Sequence, residues 1–319
     1  MGLDCFVALL LAMTPLLLVQ TLNGLQLGVL LFLIAAGLTL VFGVLDVVNL
    51  AHGAQYMLGA YLAVTAASVT GSFLLALLLT AIGALAGGVI LEWLVLRPLL
   101  GRSHLDQVLA TYGLILVMEE GARAIWGSAP LSLSLPPWLD GTVRLGGEQS
   151  YPVYRLFLLG AGLAVAVALW VVIERTRTGT RLRAGAANPI MLGALGVDTR
   201  QLFSVVLAVG AMLAGFAGAL AAPIVSVEPD MGGNVLILAF VVIVLGGTGS
   251  MRGAFVGALL VGMTDTLGRM ALSGALGLAL SPAASRQAGP ALASMLIYLV
   301  MAGVLAFRPQ GLLPAPGRT

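Results

Sequence analysis

The sequence contains no lysine: all 15 of its basic residues are arginine. A nucleotide-binding P-loop ends in Gly-Lys-Ser/Thr, so this chain does not hydrolyse ATP by that route. If its work is driven by ATP, another subunit supplies the ATPase. Charge of either sign is scarce. Only 9% of the 319 residues are charged, against about 25% in a soluble domain. Cysteine occurs once, as Cys5, which excludes an intramolecular disulfide and leaves the redox compartment undecided. The two histidines, His52 and His104, have no cysteine near them, so no His/Cys metal site is expected. No nucleophile–base pair stands out either, and no catalytic residue is assigned.

What fills the chain instead is apolar. Hydrophobic residues make up 60% of it, more than one soluble core of this length could bury. The bilayer is therefore the solvent for most side chains. The net charge of +2 reads as a topology signal rather than as an affinity for nucleic acid.

A spanning helix needs about 20 mostly apolar residues. Candidate segments are Cys5–Gln20, Gly24–Leu45, Ala54–Val69, Phe73–Leu96, Gln107–Trp126, Leu156–Ile173, Leu202–Pro223, Asn234–Leu245, Ala254–Gly268 and Ala291–Phe307. The two short ones, Asn234–Leu245 and Ala254–Gly268, are parted only by Gly246-Gly247-Thr248-Gly249-Ser250. They read as two half-length helices, a re-entrant pair or one interrupted span. The expected fold is an all-α polytopic transmembrane bundle of about 8–10 helices, including broken or re-entrant segments. Met1–Gln20 lacks a basic leader and a small-residue cleavage site, and reads as a retained first helix. The chain is expected to be one transmembrane domain, with helices over 5–173, a hydrophilic loop over 174–200, helices over 201–307 and a tail over 308–319.

Arginine bias orients such a chain. With ten crossings, Arg97, Arg102, Arg175, Arg177, Arg181, Arg183, Arg200, Arg252, Arg308 and Arg318 fall on one side. Arg144, Arg155, Arg269 and Arg286 fall on the other, and Arg123 lies near that outer end. The first side is then cytoplasmic, and so are both termini. The loop Gly127–Tyr154 is extracytoplasmic and shows no helical period. An internal duplication is one reading of Val41-Phe42-Gly43…Gly53-Ala54 beside Leu245-Gly246-Gly247…Gly253-Ala254, each followed later by Arg-Pro (Arg97-Pro98 and Arg308-Pro309). A common helix-stop signal is the other.

Two constellations interrupt the apolar texture. In Gly43–Gly53, the polar Asp46, Asn49 and His52 and the flanking glycines break a hydrophobic run. Polar residues at membrane depth are costly and face protein or a water-filled cavity. Asp46, Asn49, His52 and Gly53 therefore read either as a helix break lining a translocation path, or as an edge turn in which Asn49 or His52 caps the next helix. In Arg181–Asp198, Asn188 fits an N-cap, Pro189 a first helical turn and Gly196 a C-terminal stop. That short helix (Asn188, Pro189, Gly193, Ala194, Leu195, Gly196) follows the basic flank Arg175, Arg177, Arg181 and Arg183. It either docks into a partner's groove or lies at the lipid headgroups. Gly210-x3-Ala214-x3-Gly218 and Gly253-x3-Gly257 are small-residue faces for helix packing. Arg123 sits at ion-pair spacing from Glu119 and Glu120. Glu92 and Asp265 are the other acids within spans, each near a helix end, and no buried acidic relay for protons is apparent.

The motifs resemble a known family. Gly24-Leu25-Gln26-Leu27-Gly28, Gly37–Gly43, Asn49-Leu50-Ala51-His52-Gly53, Leu96-Arg97-Pro98-Leu99, Ala122-Arg123-x-x-Trp126-Gly127, Val244–Ser250 and Phe307-Arg308-Pro309-Gln310-Gly311-Leu312 look like the branched-chain amino-acid permeases of ABC importers, in that family's order. Leu50 stands where the family has Phe, and Arg269–Gly289 matches nothing expected of it; that segment reads as a loop or partial helix facing a binding protein. The resemblance implies a permease subunit in a bacterial cytoplasmic (inner) membrane. It would pair with a second permease, identical or not, with two cytoplasmic ATPase subunits and with a periplasmic or extracellular solute-binding protein. ATP would be used by those partners, and this chain would hold no cofactor. Asn188–Val197 would be the helix that couples to the ATPase. A stand-alone secondary transporter or channel, and a membrane-embedded enzyme, are the competing classes.

Overall fold

A computed structural model describes residues 2–45, 47, 49–146, 149–277 and 281–314. The chain is a helical bundle with one small hairpin. In chain order the helices are α1 (Gly2–Leu45), α2 (His52–Thr70), α3 (Phe73–Leu91), α4 (Arg97–Leu99), α5 (His104–Trp126), α6 (Val153–Arg175), α7 (Arg177–Ala187), α8 (Pro189–Ala194), α9 (Thr199–Ala221), α10 (Met231–Gly246), α11 (Met251–Gly277) and α12 (Pro282–Phe307). Among the described residues five stretches are long and apolar enough to cross a membrane: Leu16–Leu45, Phe73–Leu99, Val153–Arg175, Thr199–Ala221 and Met251–Gly277.

Helix α1 is the axis of the bundle and packs against α6, α9, α10 and α11. Small residues permit these approaches. Gly28 meets the α11 backbone at Ala258 and Leu259, and Gly262 meets the α1 backbone at Gly24. The expected faces behave as read: Gly210 packs on Gly37, Gly218 on Tyr56, Gly253 on Gly246 and Gly257 on Val242.

The bundle has two distinct ends. At one, Val41, Leu91, Leu96, Leu182, Leu192, Leu202 and Val206 form a cluster that gathers the C-terminal ends of α1 and α3, helices α7 and α8, and the start of α9. Gly43 touches Gly249 there, and Leu312 and Leu313 donate backbone bonds to the Leu245 and Gly246 carbonyls. Arg97, Arg102, Arg175, Arg177, Arg181, Arg183, Arg200, Arg252 and Arg308 all belong to this end. At the opposite end, Arg155 bonds Asn23, the Tyr154 hydroxyl donates to the Leu220 carbonyl at 2.6 Å, and Leu131 pairs with Val227. Arg123, Arg144 and Arg269 lie on elements that end there. Arg318 and the side chain of Arg286 fall outside the described residues.

Several expectations change. Cys5–Gln20 and Gly24–Leu45 are one continuous helix, not two spans, because nothing between them breaks it; Asn23 simply bonds Gln20 one turn back. Pro98 does not end its helix. A π-turn over Glu92–Leu96, in which the Arg97 N–H reaches the Glu92 carbonyl five residues back, lets the chain continue to Leu99. The outer loop contains an antiparallel hairpin, β1 (Thr142–Gly146) with β2 (Gln149–Pro152), whose alternation is too short to register as a period. Of the two readings of Arg269–Gly289 the partial helix holds: α11 runs on to Gly277 and α12 begins at Pro282.

Candidate functional site

The break after α1 is where the chain departs most from a simple bundle. Helix α1 ends at Leu45, yet α2 does not start at that end. The His52 Nε2 lies 3.0 Å from the carbonyl oxygen of Ile34. Ile34 is eleven residues, roughly 16 Å, up α1 from its end. The segment between the helices therefore runs back into the bundle, and α2 begins in its interior. Asp46 lies outside the described residues.

Each polar group there has a traceable role. The Asn49 side chain, 1% exposed, accepts the Ala51 N–H at 3.1 Å, and its carbonyl accepts the His52 N–H at 3.4 Å. Asn49 thus closes the turn that precedes α2 without capping it: the N-cap position is Ala51, which has no side-chain cap bond. His52 is fully buried. A carbonyl can only accept, so Nε2 carries the proton and Nδ1 is left as an acceptor. That Nδ1 makes no hydrogen bond of good geometry among the described residues, and neither does Oε1 of Gln55, but the Gln55 side chain lies beside the His52 ring one turn along α2 and interacts with it. Backbone contact closes the site from the other side. A Cβ on Gly53 would stand 2.4 Å from the Gly232 carbonyl oxygen, so the first turns of α2 and α10 touch through bare backbone. Gly37 clears the imidazole, since a Cβ there would lie 2.9 Å from His52 Cε1. Asn49, His52 and Gly53 are therefore brought together. Gln55, Gly37 and Gly232 complete the set, and no pattern in the sequence joined them to it.

The second constellation lies at the arginine-rich end. Asn188 Oδ1 accepts the Met191 N–H at 2.9 Å, Pro189 occupies the first turn of α8, and Gly196 takes φ +82°. Gly193 and Ala194 are exposed, and only Leu192 turns into the bundle. Ile190 is 85% exposed and Leu195 75%, an apolar surface beside a basic one. Within the flank, Arg183 bonds the Ile173 carbonyl and pairs with Glu174, and Arg175 lies over the Trp170 ring at 5.5 Å. Arg177 and Arg181 face outward. Helix α7, which precedes α8, was not foreseen; its glycines and arginines mask the period, although Leu182 anchors it.

The acids inside spans are neutralised. Glu92, 2% exposed, holds Arg97 through two bonds of 3.0 and 3.3 Å, and Asp265 holds Arg269 through two of 2.7 and 3.0 Å. Arg123 bonds Glu120 at 2.6 Å. Among the described residues no three of His, Cys, Asp and Glu gather as metal ligands.

A bundle of apolar helices with paired intramembrane acids, a helix that restarts in the interior and an exposed apolar helix at the arginine-rich end defines a multi-pass membrane protein. The family model for "Branched-chain amino acid transport system / permease component" matches residues 20–305. The chain belongs to that family. It is 30% identical over 269 residues to the high-affinity branched-chain amino acid transport system permease protein LivH of Escherichia coli K12, covering 80% of this chain and 86% of that one. To the corresponding protein BraD of Pseudomonas aeruginosa it is 28% identical over 311 residues, covering 93% and 95%. A probable branched-chain amino acid transport permease protein of Methanocaldococcus jannaschii is 29% identical over 261 residues, covering 78% and 80%. No solved structure matches the chain.

Proposed function

We propose that this chain is the permease subunit of an ATP-binding-cassette importer that moves branched-chain or related amino acids inward across a bacterial cytoplasmic membrane. It works by alternating access beside a second permease subunit. Two ATPase subunits drive the change of state, and a solute-binding protein delivers the substrate outside. The arginine-rich end is the cytoplasmic one. Asn49, His52 and Gly53 belong to the part of the path that opens and closes, and α8 transmits the ATPase cycle.

The observation that carries this reading is the surface of α8. Ile190, Met191 and Leu195 leave an apolar face on a short capped helix at the basic end, a surface that lipid headgroups or another protein would cover, and the ATPase partners of the family favour the protein. The capped helix and its apolar face fit insertion into a partner's groove. The test is isolation of the chain in mild detergent from its native membrane, followed by reconstitution into liposomes. The reading predicts that an ATPase copurifies and that leucine uptake stops when ATP is withdrawn. Uptake by the chain alone, without ATP, would assign it to the stand-alone transporters instead.

A further inference from the structure

Two glycines of α3 have no structural reason to be glycine. Neither Gly83 nor Gly87 takes a positive φ. A Cβ on Gly83 would meet only Leu62, at 3.5 Å, and one on Gly87 would meet nothing within 4 Å. Their neighbours on the same seam differ: a Cβ on Gly59 would lie 2.1 Å from the Gly215 carbonyl oxygen, and one on Gly88 2.5 Å from Ala211 Cβ. Glycine inside a helix costs about 0.5–1 kcal/mol relative to alanine. What Gly83 and Gly87 supply is space. They line a cavity of about 80 Å³ between α2, α3, α5 and α9, with Leu58, Leu62 and Met118 as apolar walls.

The same cavity is lined by Gln55, a residue only 7% exposed, whose side chain lies beside the His52 ring and whose Oε1 makes no hydrogen bond of good geometry among the described residues. An unpaired buried acceptor costs about 1–3 kcal/mol, so the site favours a ligand that brings a donor. A cavity of about 150 Å³ binds benzene, or roughly 25 Å³ per carbon, so this one admits three to four carbons and no ring. A short branched aliphatic group with a donor close by has that shape and chemistry. The wall formed by α5 is thin: of its residues only Gln107, Thr111 and Ala122 are buried.

We propose that this cavity is a transit subsite that receives the aliphatic side chain of an amino acid while Gln55 Oε1 accepts a hydrogen bond from its ammonium group. The assignment rests on the reading of the chain as an amino-acid permease subunit. It is tested by a size series, Gly87→Ala, Gly87→Val and Gly87→Leu, in the intact complex reconstituted with its ATPase and binding protein. Alanine, valine and leucine are the transported probes. The proposal predicts that Gly87→Leu lowers leucine uptake about tenfold or more, as the loss of pocket volume does in other hydrophobic sites. Alanine uptake stays near wild type, and Gly87→Ala, which removes room for about one carbon, has a smaller effect on leucine uptake than Gly87→Leu. Gln55→Leu should raise KM for all three probes while the ATPase still copurifies. Leucine and alanine uptake falling in parallel would make the cavity a packing feature, filled by a lipid chain or a partner's side chain. Unchanged uptake in every variant would take it off the path. If the wild-type complex moves no aliphatic amino acid at all, the permease reading fails and the subsite fails with it.

Discussion

The two breaks of this bundle look alike in sequence and are built in opposite ways. Both follow a helix that descends to the arginine-rich end, and Gly43 and Gly249 even touch. The second break is short and closed by main chain. Gly247 N–H bonds the Ile243 carbonyl, Ser250 N–H bonds the Gly247 carbonyl, and the tail residues Leu312 and Leu313 clamp the end of α10. The first break retreats into the bundle, carries Asn49 and His52, and leaves His52 Nδ1 and Gln55 Oε1 without a well-formed hydrogen bond among the described residues. A buried polar group without a partner raises the energy of the conformation that holds it. The second break is a hinge point tied down on all sides. The first is a site whose polar atoms would find better partners in another state.

Substitutions can break or sharpen this contrast. The largest effect belongs to Gly53→Val. Its side chain would have to occupy the Gly232 carbonyl, 2.4 Å from the Cβ position, and forcing the two backbones apart costs at least the ~1–3 kcal/mol of an overpacked core. Little monodisperse protein should be recovered, and wild-type yield and melting temperature would show that the closure between α2 and α10 is not needed. Next comes His52→Ala, which unties α2 from the Ile34 carbonyl. Uptake should fall about tenfold, equivalent to about 1.4 kcal/mol, with the protein still folded. His52→Gln, which keeps a donor for that carbonyl, should recover part of the rate. At the second break the expected effects are on stability alone. Truncation after Gly311 removes the Leu312 and Leu313 bonds and should lower the melting temperature by a few degrees, each bond contributing about 0.5–1.5 kcal/mol. Ser250→Ala removes the acceptor for the Gly253 N–H, and should cost about 1 kcal/mol or less and leave uptake near wild type. A large loss of uptake in either variant would erase the distinction between the breaks.

Much of the fold was legible because hydropathy is a local property. The spans, the arginine asymmetry and the small-residue faces need no tertiary information. The short helix α8 was legible for the same reason: Asn188, Pro189 and Gly196 each act on their own backbone. What could not be read is what other elements impose. No residue near position 22 says that α1 continues, because the absence of a breaker and the presence of a short loop look the same in an apolar run. The π-turn at Glu92–Leu96 answers a proline that by itself reads as a stop. At the candidate site, the polar residues were visible but their depth was not. His52 reaches Ile34 only because the intervening chain doubles back, and Gly53 meets Gly232 across 179 positions of sequence. Gln55 was passed over because a single amide on a helix carries no pattern. It stands out only once its oxygen is seen to be buried and unpaired.

The central claim is that the first break moves during the transport cycle and the second does not. Single cysteines at Asn49 and at Ser250, in a chain whose Cys5 has been replaced by serine, can be labelled with a small maleimide in the intact complex. The rates are compared without nucleotide and with the ATPase trapped in its ATP-bound state. The account predicts a change of about tenfold or more at position 49, as expected of a group whose burial differs by about 1.4 kcal/mol or more between two states, and a constant rate at position 250. Equal rates at position 49 in both states would contradict it.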